Sequence, residues 1–145
     1  MNNKTIPVHS TENSVPVTLT VENAVIPAIF YDNPSARNLL SRLPHKVRLS
    51  RFRSGNYCGS MRTEITFDES DAQNGYWNGE IAYWTLGDGF VIFFENEEQS
   101  LSVGVEPDLI MLGRLADASC LEIMRGFDSS IEVTIECAQN SGIYS

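Results

Sequence analysis

The chain is poor in the residues that build metal and imidazole chemistry. It has two histidines, His9 and His45, and three cysteines, Cys58, Cys120 and Cys137, with no CxxC spacing. A structural zinc site needs four such ligands placed together, so no metal and no cofactor is expected. Three cysteines cannot all pair within one chain, and a reduced compartment is the simpler reading. No apolar run is long enough to span a bilayer. The first residues, MNNKTIPVHSTENS, hold one lysine but no apolar stretch and no small-residue cleavage site. They do not read as a secretory signal, so a cytoplasmic location is expected. Basic residues are also scarce. Ten Lys and Arg stand against nineteen Asp and Glu, a net charge of −9 that argues against nucleic-acid binding.

The distribution of charge says more than its sum. Seven of the ten bases, Arg37, Arg42, Lys46, Arg48, Arg51, Arg53 and Arg62, fall in one span that contains no acid. At 145 residues the chain is long enough for one domain, burying roughly 68–70% of its unfolded surface without staples. Residues 1–14 read as a polar, flexible leader, 15–138 as the domain and 139–145 as a polar tail.

The stretch Gly79 to Glu95, GEIAYWTLGDGFVIFFE, organises the rest. Two apolar, aromatic-rich runs flank Gly87-Asp88-Gly89, which predicts a central β-hairpin. Before it, Val15–Val21 alternates with period two, Glu22-Asn23 fits a two-residue turn, and Ala24–Phe30 returns. Pro27 has no backbone donor, which predicts an edge strand or a bulge. Asn33-Pro34 opens a short helix over 33–43, with Ala36, Leu39, Leu40 and Leu43 on one face and Pro44 ending it. His45–Arg53 reads as a strand, with Val47 and Leu49 inward and the bases mostly outward. Tyr57–Phe67 holds one or two weakly marked strands. An acidic loop with a short strand near Leu101–Val105 follows the hairpin. Leu109–Leu115 is an apolar run, and Asp117–Arg125 a helical turn burying Leu121 and Met124. Ile131–Cys137 is the cleanest alternation. The count is about eight strands and one clear helix, which favours a closed sheet.

The order of these elements resembles the cyclophilin-like fold proteins of bacteria. The resemblance is carried by Asp32-Asn33-Pro34-Ser35-Ala36, Gly79-Glu80-Ile81-Ala82-Tyr83-Trp84, Gly87, Phe90-Val91-Ile92-Phe93-Phe94 and Leu112-Gly113-Arg114-Leu115, over roughly Val15 to Cys137. It implies a mainly β, closed or nearly closed barrel of about eight strands with one short helix capping an end. The true cyclophilins isomerise X–Pro bonds with an Arg in a Phe-His-Arg context and a Gln-Gly-Gly segment. Both are missing here, and Arg51-Phe52-Arg53 is only a faint echo.

Candidate chemistry is sparse. A Cys58–His45 nucleophile pair needs neighbouring strands; the alternative is a small buried thiol and a solvated imidazole. Asp68, Glu69 and Asp71 form a carboxylate cluster, yet acid–base work needs one of them desolvated. The basic span either pairs across strands with Glu132 and Glu136 or offers an anion-receiving face. Arg114, inside an apolar run, either faces outward or projects into the barrel beside an acid. Two large aromatics in a loop, Tyr76 and Trp77, usually cover something. The expected site is a groove or barrel-mouth pocket formed by Arg51, Arg53, Tyr76, Trp77, Tyr83 and Arg114, taking a small molecule or a short peptide, proline-containing or anionic. The alternatives are a prolyl isomerase with a non-standard site, using Arg51 or Arg53, and a non-catalytic interaction module that pairs through the strand of Pro27 or through the acidic loop.

Overall fold

A computed structural model describes residues 10–52, 55–73, 76–94 and 108–138. The chain runs β1 (Val15–Val21), β2 (Ala24–Phe30), α1 (Pro34–Leu40), β3 (His45–Phe52), β4 (Asn56–Ser60), a 3₁₀ turn (Glu69–Asp71), β5 (Glu80–Trp84), β6 (Gly89–Phe93), β7 (Leu109–Leu115), α2 (Ser119–Arg125) and β8 (Ser130–Cys137). The eight strands close into an antiparallel barrel in the order β1-β2-β7-β5-β6-β4-β3-β8. The expected strand near Leu101–Val105, the acidic loop around it and Arg53 lie outside the described residues.

Period-two alternation fills the interior. Val17, Leu19 and Val21 of β1, Val47 and Leu49 of β3 and Ile131, Val133 and Ile135 of β8 all enter one core, and their neighbours face out. The central hairpin pairs Ile81 with Ile92 and Tyr83 with Phe90, as its apolar runs predict. Tyr83 is buried and Trp84 exposed, the split that alternation demands. Strands β5, β6 and β7 are apolar on both faces. Ala82, Val91, Phe93 and Met111 point away from the barrel and form a second buried cluster with Tyr31.

The two helices connect strands at opposite ends of the barrel. Each contributes to the interior core, Ala36 and Leu39 from α1, Cys120 and Met124 from α2, so both mouths are covered. Asn33 caps α1 by accepting from the Ala36 N–H at 2.8 Å, and its amide donates to the Met111 carbonyl at 3.0 Å. The helix stops at Leu40, ahead of Pro44, because Ser41 already forms its C-cap. In α2 the buried pair is Cys120 and Met124, with Leu121 only partly buried. A rotation of one residue, about 100°, exchanges i for i+1 on the buried face.

Pro27 marks no edge. Its strand has β1 on one side and β7 on the other. The β2–β7 ladder begins at Ala28, and the Pro27 carbonyl accepts from Ala116 N at 3.0 Å. The missing donor therefore falls at the end of the ladder, where no partner needs it. Gly113 has an equally specific reason. A Cβ there would stand 2.0 Å from the Ile29 carbonyl oxygen and 2.8 Å from the Phe30 Cα. The close approach that Gly113 permits is that of the neighbouring strand of the barrel.

Candidate functional site

Two concavities among the described residues share the outward-facing side of Tyr31. One, of about 320 Å³, lies between the start of β5 and the β7–α2 connection, lined by Trp77, Glu80, Arg114, Leu115, Asp117 and Leu121 among others. The other, of about 390 Å³, is lined mainly by Glu12, Tyr31, Asp32, Asn33, Asp71 and Met111. Tyr31 lines both.

Glu80 holds the first cleft together. It is only 4% exposed, and a carboxylate so placed must be satisfied. Its Oε1 accepts from the Trp77 N–H at 2.9 Å and its Oε2 from the Tyr31 hydroxyl at 3.1 Å. The Glu80 N–H in turn donates to the Trp77 carbonyl at 3.0 Å. Gly79, at a φ of +100°, takes the turn into the strand, donating to Phe93 and accepting from Leu115. These bonds fix Trp77 at the rim with its side chain 38% exposed. Burial pushes the Tyr31 phenol well above its ordinary range, and the Glu80 charge and hydrogen bond add to that; Arg114 partly offsets it. Tyr31 stays protonated as a donor to Glu80.

Arg114, on β7, sits directly across from Glu80 on β5 and from Ile29 on β2. It is exposed. Among the described residues the ion pairs are Arg37–Asp32, Arg48–Glu132 and Arg125–Glu122, and Arg114 is in none of them. Asp117 lies on the same segment. Its Oδ1 accepts from the N–H and the hydroxyl of Ser119, which hold the carboxyl below its usual range.

The six expected site residues divide. Trp77 and Arg114 line one cleft. Tyr76 stands beside it, stacked on Phe93 with ring centroids 3.9 Å apart and planes 1° from parallel; it is the loop aromatic that covers the outer wall. Tyr83 lies inside the barrel, where its hydroxyl donates to Asp88 Oδ1 at 2.6 Å. Burial, then that hydrogen bond, pushes its phenol up to about 12. Arg51 continues the inward parity of Val47 and Leu49 rather than the outward set. Its guanidinium lies 5.2 Å from the ring centres of both Tyr57 and Phe94. Its Nη2 is 2.9 Å from the Tyr57 hydroxyl, 2.9 Å from the Phe127 carbonyl and 3.1 Å from that of Arg125. Arg51 thus ties β3 to the end of α2. Arg53 lies outside the described residues.

The remaining candidates take structural places. His45 Nε2 lies 3.1 Å from the Met61 carbonyl, and Cys58 pairs with Ser50, five residues along β3 from His45. Burial pushes the Cys58 thiol up, away from nucleophilic use. Asp68 caps the 3₁₀ turn, and the hydrogen bonds of Ser70 lower its carboxyl. In the basic span, Arg48 pairs across strands with Glu132 at 4.0 Å, Arg37 pairs with Asp32, and Arg42 donates to Thr63. Among the described residues no three His, Cys, Asp or Glu side chains gather as a metal site, and no helix is long and apolar enough to cross a membrane.

Sequence reasoning missed Tyr31 and Glu80. The one signal was the acid that opens the apolar run Ile81–Trp84, matched by the base inside Leu109–Leu115.

Comparison with known proteins bears on the fold. No curated protein matches the sequence. The fold is similar to the solution structure of a hypothetical protein from Archaeoglobus fulgidus, with a TM-score of 0.62 at 17% identity over 86% of this chain and 95% of that one. The sequence pattern of the cyclophilin-like family matches residues 19–136, from the first strand of the barrel to its last. A closed eight-strand barrel with the Gly79–Trp84, Phe90–Phe94 and Leu112–Leu115 segments adjacent in it agrees with that match, and the chain belongs to the cyclophilin-like family.

Proposed function

We propose that this cyclophilin-like domain binds a small molecule or the end of a short peptide, recognising a carboxylate next to an apolar group in the Trp77–Arg114 cleft. The observation that carries this reading is the pairing of an exposed guanidinium, in no ion pair among the described residues, with a rim indole over one concavity. Apolar walls with a few convergent polar groups suit small ligands. An Arg fork meets a carboxylate through two parallel hydrogen bonds. The floor is pre-ordered by Glu80, so little ordering is left for binding. The three free thiols suit a reducing compartment, in keeping with a cytoplasmic location.

Titration with isocaproate, a branched aliphatic carboxylate, tests the reading by calorimetry. Saturable binding is expected, weakened tenfold or more by Arg114→Gln and by Trp77→Ala, with the neutral isocaproamide failing to compete. Absence of saturation, or binding indifferent to Arg114→Gln, would sink it.

A further inference from the structure

We infer that the Trp77–Arg114 cleft is built for a zwitterion, an α-amino acid with an apolar side chain, whose carboxylate meets Arg114 and whose ammonium meets Asp117. The inference rests on the reading of this cleft as a carboxylate site and names the class of its ligand.

The charge pattern of the cleft is the first reason. Its lining carries one guanidinium, Arg114, and two carboxylates, Glu80 and Asp117. A simple carboxylate would gain from Arg114 and be opposed by Asp117. A ligand with an adjacent ammonium turns that opposition into attraction. Glu80 is the lesser partner for the ammonium, because it is buried and both its oxygens already accept from Trp77 and Tyr31. Asp117 is exposed. The hydrogen bonds it accepts from Ser119 and Cys120 all fall on Oδ1, and among the described residues none falls on Oδ2. The same bonds keep the carboxyl ionised across the physiological range.

The placement of the two charges is the second. Arg114 and Asp117 line one cleft and are joined by Leu115 and Ala116, yet they do not form an ion pair with each other. A cation and an anion on one short segment, each with hydrogen-bonding capacity to spare, match the two ends of an α-amino acid head group. The third reason is size and wall chemistry. About 320 Å³ walled by Trp77, Leu115 and Leu121 takes one aliphatic side chain beside that head group.

The experiment compares leucine, isocaproate and leucinamide by calorimetry on the full chain and on Asp117→Asn. Isocaproate is leucine without its ammonium, and leucinamide is leucine with its carboxylate replaced by a neutral carboxamide. Leucine is expected to bind about threefold to tenfold tighter than isocaproate, with leucinamide weakest. Asp117→Asn should bring leucine down to the isocaproate level and leave isocaproate as tight or tighter, which also certifies that the variant is folded. Isocaproate binding as tightly as leucine, or a leucine advantage that survives Asp117→Asn, overturns the zwitterion while the carboxylate reading stands. No binding of either compound overturns both.

Discussion

Arg51 and Arg114 stand at the same end of the barrel, near the end of β3 and near the end of β7, and each has aromatic neighbours. Arg51 falls on the inward parity of its strand. It lies over Tyr57 and Phe94 and meets three oxygens, so its charge serves to join the barrel to α2. Arg114 has the parity of Ile110 and Leu112, which enter the core, and the register shift between the Ile81–Gly113 and Ala82–Met111 pairs turns it outward. Its neighbours are a buried carboxylate already bonded elsewhere and an indole at a rim, and its own charge faces a cleft. A one-residue register shift therefore separates a cation held in the frame from one available to a ligand. The difference predicts that damage at the two sites will be of different kinds, stability at Arg51 and binding at Arg114.

The largest effect is expected at the backbone that holds Arg114 in place. Gly113→Ala puts a Cβ into the Ile29 carbonyl, and only a shift of β7 against β2 relieves it. Chemical denaturation should show a loss of about 3 kcal/mol or more. A loss under 1 kcal/mol would mean that the two strands are not held as closely as described. Arg51→Ala comes next. It leaves the Phe127 and Arg125 carbonyls without this donor and removes the cation from two ring faces, a loss of about 2–3 kcal/mol. Isocaproate binding by the folded fraction should be unchanged. Arg114→Gln completes the contrast, with stability within about 0.5 kcal/mol of the parent and binding lost.

The smallest effect is a pH dependence. The Tyr83 phenol is raised from its ordinary 10.0 to about 12 in the folded chain. Because the folded state holds this proton more tightly, the contribution is fully present below the unfolded value and is lost as pH rises through the folded one. Melting temperature should decline as pH rises from about 10 to about 12, with Tyr31, raised further, adding to the decline over that range and extending it. Tyr83→Phe should make that decline shallower. A decline identical in Tyr83→Phe would assign it to other groups.

Much of the barrel is legible in the sequence because its strands follow short-range rules. Alternation marks Val15–Val21 and Ser130–Cys137, and Asn33-Pro34 marks the start of α1. Closure is a property of the whole sheet, so Pro27 reads as an edge residue until β7 is seen beside it. The same limit governs the site. Trp77 and Arg114 stand out individually, as an aromatic in a loop and a charge in an apolar run. What joins them is a carboxylate whose tyrosine partner lies 49 residues away, and no local pattern announces a pair so distant. Arg51 shares the parity of Val47 and Leu49, a local signal that sets it beside the core aromatics Tyr57 and Phe94.

Amide chemical-shift mapping by NMR on titration with isocaproate tests most directly that the outer cleft is the binding surface and Arg51 part of the frame. Saturable shifts confined to Trp77–Glu80 and Arg114–Leu121 are expected. Shifts centred instead on Arg51, Tyr57 and Arg125–Asp128, or none that saturate, would contradict it.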